Sequence, residues 1–206
     1  MIDEYRRLPR IANSDLTELK NHILGIPHPP SSQAQVFGTR FHDFLLLDTE
    51  TIPTGKGATA TRRMLDVLRT DPLFSRLLSL GNPEQTHFWE DERTGLPCKA
   101  RIDLPVPDER TIVDVKTTSA RTQSEFIANC YWYEYDRQAA YYLDGYRGAG
   151  GDADQFLIIG IQKQKPHNRY VVEVLADSIF MDGGRQKYNR LLRSWQEIGF
   201  TPRSWA

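Results

Sequence analysis

The chain has 206 residues, with 26 basic against 27 acidic side chains and a formal net charge of −1. That length suits one domain with a substantial core, and the near-neutral balance excludes any global electrostatic pull toward nucleic acid, so a nucleic-acid function must rest on local basic patches. Cys98 and Cys130 lack CxxC or zinc spacing and read as reduced thiols of a cytoplasmic protein. The opening Met-Ile-Asp-Glu-Tyr-Arg-Arg is no signal peptide, and no apolar run reaches membrane-span length.

Asn13-Ser14 reads as a helix N-cap, with acids in the first turn and an end near Gly25, beyond which lie Pro27, Pro29 and Pro30. A second helix is expected from about Ser32 to Leu47, where Val36, Phe41, Phe44, Leu45 and Leu47 approximate helical spacing. Residues 48–58 read as a loop. Ala58 to Ser79 reads as one or two short helices broken around Asp71-Pro72. Gln85 to Glu90 reads as a strand and Glu92 to Gly95 as a turn, and residues 97–118 form a hairpin. Ser124 to Tyr146 is expected to be one long, tyrosine-rich helix, followed by a loop at Gly148 to Gly151. Phe156–Ile161 and Tyr170–Leu175 are expected strands joined by a turn around Pro166-His-Asn168. Ser178 to Ile198 closes the chain as a helix, interrupted at worst by Gly183-Gly184. This order argues for a single α/β domain over residues 1–206, with a central mixed sheet flanked by helices.

The chemistry concentrates in the hairpin. Asp103 is followed eleven residues later by Asp114-Val-Lys116. Ile112 to Thr118 is rich in β-branched residues, and a strand puts residues two apart on one face, so Asp114 and Lys116 point the same way. Pro105, Pro107 and Asp108 supply turn chemistry. A turn centred near Asp108-Glu109 sets Asp103 opposite Asp114. Facing carboxylates repel, and a divalent cation converts that repulsion into coordination. Oxygen-only acid pairs suit Mg²⁺ or Mn²⁺. A lysine beside a metal-bound water is what phosphodiester hydrolysis needs. The plain alternative is a solvated hairpin face that carries two Asp and a Lys. The longer pattern of acid, hairpin, then hydrophobic-Asp-hydrophobic-Lys-Thr favours the functional reading.

Other residues could complete a site. His42 lies on the second helix, where a lone histidine is more often a surface or core residue than a ligand. Gly38, one turn earlier, would let another backbone approach. Gln138 and Tyr142 are four apart on the tyrosine-rich helix and share a face. They either pack the core and its rim or place Gln138 at a metal-bound water or phosphate, with Tyr142 in support. Glu90, at the end of its strand, is either an extra acid for the metals or an exposed strand end. Arg6, Arg7 and Arg10 precede a helix start, an arrangement that can hold an anion but is common without one.

The set His42, Asp103, Asp114-Val-Lys116 and Gln138-xxx-Tyr142 resembles the PD-(D/E)xK nuclease superfamily in its exonuclease branch. Phe37–His42, Cys98–Asp103, Ile112–Thr117 and Gln138–Tyr146 resemble exonuclease VIII, the RecE type. Glu197-Ile-Gly-Phe with Trp205 resembles the tail of phage lambda exonuclease, and Arg7 and Ser14 have the spacing of its 5′-phosphate-binding arginine and serine. Overall size fits the viral alkaline exonucleases, and the resemblance extends to that of Laribacter. The resemblance implies a restriction-endonuclease-like fold and a Mg²⁺-dependent 5′→3′ exonuclease on double-stranded DNA ends. Such an enzyme releases 5′-mononucleotides and leaves 3′ overhangs for phage-type recombination. It implies two metals on Asp103 and Asp114 with the Val115 carbonyl, His42 where lambda-type enzymes carry an acid, and Mn²⁺ as a substitute. It also implies a processive homo-oligomeric ring, trimer before tetramer, and a single-strand annealing protein as partner. Two alternatives stand beside it: a non-catalytic DNA-end-binding or assembly protein on the same fold, and a single-strand or endonucleolytic member of the superfamily.

Overall fold

The computed structural model describes residues 4–27, 32–47 and 57–205. The prolines at 29 and 30 and most of the loop expected over 48–58 lie outside them. The chain runs through α1 (Glu4–Arg7), α2 (Asn13–Ile23), α3 (Gln33–Leu46), α4 (Ala58–Thr70) and α5 (Pro72–Leu80). There follow β1 (Gln85–Glu90), β2 (Pro97–Ile102), β3 (Leu104–Val106) and β4 (Thr111–Thr118). The chain then forms α6 (Gln123–Trp132), α7 (Tyr135–Gly148), β5 (Gln155–Gln162), β6 (Arg169–Leu175) and α8 (Ile179–Ile198). No described helix is long and apolar enough to cross a membrane.

Four strands form a mixed sheet in the order β3-β4-β5-β6, while β1 and β2 form a separate hairpin. The β4–β5 pair is parallel and its neighbours are antiparallel. Parallel strands need a long crossover, and α6 with α7 supplies it. Period-two alternation then splits the core. Val113, Val115, Ile159 and Ile161 pack with Phe41, Met64, Leu68 and Phe74 from α3, α4 and α5. Ile112, Phe156 and Ile158 pack with Leu16, Phe126, Leu143 and Leu192 from α2, α6, α7 and α8. Cys98 and Cys130 are both free and buried in this second cluster.

Several local expectations shift. α2 begins at Asn13, one residue before the expected start, because the Asp15 carboxylate accepts the Ala12 N–H at 2.8 Å and does the capping from inside the first turn. Asp71 caps α5, accepting the Phe74 N–H at 3.0 Å, so the expected break at Asp71-Pro72 is there. Gly183-Gly184 does not interrupt α8. A Cβ at Gly184 would lie 2.0 Å from the Asp136 carbonyl oxygen, so the glycine lets α8 seat directly on the α7 backbone. The long helix expected over 124–146 is two helices. It breaks at Tyr133-Glu134, where Glu134 takes a left-handed φ of 55°.

Candidate active site

β2 and β3 are one stretch of chain that kinks at Asp103 and changes partner there. The pairing Leu104↔Val113 puts Asp103 level with Asp114, as the turn chemistry predicts. Because β3 pairing stops at Leu104, the next stretch of the β4 edge carries no strand. The Asp103 carboxylate fills it and accepts the Val115 N–H at 2.9 Å. A strand residue points its N–H and C=O toward the same neighbour, so the Val115 carbonyl faces this same gap.

Two further groups converge on Asp103. His42 Nδ1, from α3, lies 3.3 Å from its Oδ2. Burial alone would lower the imidazole pKa, but the Asp103 charge and hydrogen bond outweigh it and push the pKa up to about 9. Burial likewise acts to raise Asp103, and His42, Lys116 and the Val115 N–H together hold it below its ordinary value. Glu84 is the second. Its left-handed backbone (φ 54°) and its N–H bond to the Asp103 carbonyl (2.9 Å) aim it into the same space. Burial, then the neighbouring Asp103, raises the Glu84 pKa to about 7. One ligand atom each from His42, Glu84 and Asp103 lies within 4.8 Å of the others.

Asp114 stands beside this cluster with a different set of partners. Its Oδ2 lies 2.6 Å from Lys116 Nζ, and its Oδ1 accepts Gln138 Nε2 at 2.8 Å. Burial, countered by Lys116 and reinforced by Asp103, raises its pKa to about 6. Burial would lower the Lys116 pKa, but the two aspartates raise it. Tyr142, beside Gln138 and Asp114, is pushed well up by burial.

His42, Asp103, Asp114, Val115, Lys116, Gln138 and Tyr142 therefore meet at one edge of the sheet. Glu90 does not join them. It is exposed at the far end of β1, paired with Pro97, five strand residues and about 17 Å from the Asp103 end. Of its two readings the exposed strand end holds, and the extra acid near Asp103 is Glu84. The signal was the β1–β2 hairpin: with Gln85 paired to Ile102, the next pair outward is Glu84 with Asp103. Gly38 admits no close backbone. A Cβ there would meet only Thr117 Oγ1, at an ordinary 3.6 Å.

Arg7, on α1, and Ser14, inside α2, are exposed. Arg10 is engaged elsewhere, donating to the Trp89 carbonyl at 3.3 Å with its guanidinium 5.2 Å from the Phe88 ring centroid. Lys99, fully buried, donates to the carbonyls of Tyr5, Arg6 and Leu8 at 2.7, 3.3 and 2.9 Å and so pins α1 to the hairpin.

No curated protein sequence matches the chain. Among solved structures, a candidate exonuclease from Eubacterium rectale superposes with a TM-score of 0.68 at 18% identity, over 92% of this chain and 82% of that one. The alkaline exonuclease LHK-Exo of Laribacter hongkongensis superposes at 0.51 with 12% identity, over 94% of this chain and 91% of its own. LHK-Exo in complex with dAMP gives 0.50 at 12% identity, over 93% and 90%. At these identities the likeness is one of fold. The sequence goes further: residues 32–201, which carry His42, Glu84, Asp103, Asp114, Lys116 and Gln138, match the PDDEXK-like domain of unknown function DUF3799, and the chain belongs to that family.

Proposed function

We propose that the protein is a metal-dependent 5′→3′ exonuclease that digests one strand of linear double-stranded DNA to 5′-mononucleotides and leaves a 3′ overhang. The observation that carries this reading is the meeting of Asp103, Asp114 and Lys116 with His42 and Glu84 at one buried sheet edge. The structure of LHK-Exo in complex with dAMP supports a mononucleotide product.

His42, Glu84 and Asp103 fit a divalent cation, and Asp114 with the Val115 carbonyl would complete the pair of sites that two ions need. Asp114 can do so while bonded to Lys116 and Gln138, since an ionised carboxylate offers about four acceptor positions. The carboxylate and carbonyl oxygens suit Mg²⁺ or Mn²⁺, and the imidazole favours Mn²⁺ as a substitute. When bound, the ion supplies an acidified water and neutralises charge on the phosphoryl oxygens. Lys116 holds a positive charge at the place where the attacking water must sit and orients it. Gln138 fixes the Asp114 carboxylate and keeps a polar group toward the phosphate, and Tyr142 backs Gln138.

Arg7, with Ser14, would hold the terminal 5′-phosphate by charge-assisted hydrogen bonds. The α2 N-terminus adds little, because the buried Asp15 carboxylate already occupies it, so the anion contact depends on Arg7. Ring assembly (a trimer before a tetramer), processive digestion, a cytoplasmic setting and a single-strand annealing partner in phage-type recombination belong to the same proposal and rest on the resemblance.

One digestion experiment tests the reading. Linear duplex with 5′-phosphate or 5′-hydroxyl ends, closed circular duplex and single strands are incubated with Mg²⁺, with Asp114→Ala alongside. Linear duplex should yield 5′-mononucleotides, faster from 5′-phosphate, while circles stay intact. Chelator and Asp114→Ala should each abolish the reaction. Cut circles would make the protein an endonuclease. DNA retained but uncut would make it a binding module. A fully active Asp114→Ala protein would sink the site itself.

A further inference from the structure

The chain between α6 and α7 leaves the continuous helix that its local pattern favours. Glu134 takes the left-handed conformation there, which is unfavourable for a residue with a Cβ. The elbow is held from outside, since the Glu134 carboxylate pairs with Lys20 of α2 at 2.7 Å and with Arg137 at 3.7 Å. Just before the elbow, Trp132 and Tyr133 are 81% and 59% exposed. Adjacent exposed aromatic residues offer amphipathic faces for a contact.

The patch is continuous with the candidate active site. The Tyr133 ring lies 5.8 Å from that of Tyr135 with 31° between their planes, and Lys116 Nζ lies 4.9 Å from the Tyr135 ring centroid. A row of aromatic faces thus leads from Lys116 out to solvent. A phosphodiester at Lys116 is flanked by two nucleotides, and their bases need surfaces. Aromatic side chains bind any base by its π-face without reading its edge, which suits an enzyme that degrades whatever sequence it meets.

We propose that Tyr133, with Trp132 beside it, is a stacking platform for a nucleobase of the DNA strand next to the scissile phosphate. The inference rests on the phosphodiesterase reading for its location but not for its binding chemistry. Tyr135 is the link that keeps the platform in register with Lys116. Glu134 is a positioning residue that holds the elbow open.

The test compares wild type with Tyr133→Ala, Tyr133→Phe and Tyr133→Trp on linear duplex and on the same duplex with abasic sites at the first nucleotides of the digested strand. Tyr133→Ala should raise KM by about 5- to 150-fold, the range one base–aromatic stack carries, with a smaller change in kcat. Phe and Trp at the position should restore KM. Wild type should disfavour the abasic duplex by a similar factor, and Tyr133→Ala should not distinguish the two. A second measurement needs no cleavage. A single-stranded oligonucleotide, added in chelator, should quench tryptophan emission in wild type and fail to do so in Trp132→Phe. If wild type cleaves no DNA but the quench is present, the platform stands and the nuclease reading falls. If wild type cleaves while Tyr133→Ala keeps its KM and its preference against abasic ends, the platform is overturned. An unchanged KM with a loss of self-association in sedimentation would assign the patch to a second copy of the chain and overturn it equally.

Discussion

Val113 and Asp114 are neighbours on β4 and are buried to the same degree, at 0% and 2% exposure, yet they serve opposite ends. Val113 and Val115 face α3, α4 and α5 across an apolar core. Burying a valine in this way stabilises the fold by about 1.5–3 kcal/mol. Asp114 and Lys116 face the other way, and taking each ion from water costs several kcal/mol before any pairing. The pairing is good, with Lys116 and Gln138 on the two Asp114 oxygens, but burial still raises the aspartate's pKa to about 6. Midway along β4, Val113 and Val115 thus hold the sheet to its helices while Asp114 and Lys116 carry the chemistry. A site built on a central strand is rigid, and the neighbouring core supplies the stability that the buried ions withhold.

The largest effect that would sharpen this contrast is at Lys116. Lys116→Ala should lower the rate of phosphodiester cleavage by about 10²- to 10⁴-fold, the range of a positioned proton-transfer or water-orienting group. Divalent-ion binding, followed by calorimetry, should survive, because His42, Glu84 and Asp103 remain. Lys116→Arg should rescue poorly, since a planar guanidinium does not replace a point charge. A rate for the alanine variant within about threefold of wild type would remove Lys116 from the reaction and leave the polar face of β4 as an ordinary ion pair.

This division was legible in the sequence wherever it followed from period two and turn chemistry. Asp103 opposite Asp114, Lys116 beside Asp114, and Gln138 with Tyr142 on one helix face all followed from spacing. The failures have a common cause in contacts made far along the chain. Glu84 enters the site because its backbone is left-handed and tied to Asp103, whereas Glu90 closes the same strand with better apparent credentials and points nowhere useful. The break at Glu134 is invisible to a helical period that runs through it. What pins it is Lys20, 114 residues earlier. α1 is a single turn that could not persist alone, and it is held by the buried Lys99. The residues that match the family, 32–201, include the Asp…Asp-x-Lys pattern.

A second effect concerns pH in the metal-free protein. His42 titrates near 6.5 when unfolded and near 9 when folded, chiefly because Asp103 overcomes the burial that would lower it. A base whose folded pKa is raised contributes stability that is fully present below about 6.5 and is lost as pH climbs through about 9. In chelator, wild type should therefore exceed His42→Ala in unfolding free energy at pH 6, and the gap should shrink by roughly 3 kcal/mol by pH 9.5. Adding a divalent ion should abolish the loss at high pH, because a liganding imidazole gives up its proton and ion affinity therefore rises with pH. A gap that stays constant across that window would mean that His42 is neutral in the fold and that its contact with Asp103 is only geometric.

The smallest expected change tests the apolar side of the same strand. Val113→Ala removes two methyl groups from a position with no exposed surface, where Leu104 of β3 and Leu157 of β5 are its paired neighbours. The lost transfer free energy and the cavity left behind should lower unfolding stability by about 2 kcal/mol in urea melts. The backbone register that sets Asp114 opposite Asp103 does not depend on those methyls. Cleavage by the folded fraction should therefore stay within about twofold of wild type, since removal of methyls facing away from the reacting groups leaves transition-state contacts intact. If Val113→Ala instead lost activity as deeply as Lys116→Ala while remaining folded, the two faces would not be separable. Packing behind β4 would then have to be counted among the forces that hold Asp114 and Lys116 in place.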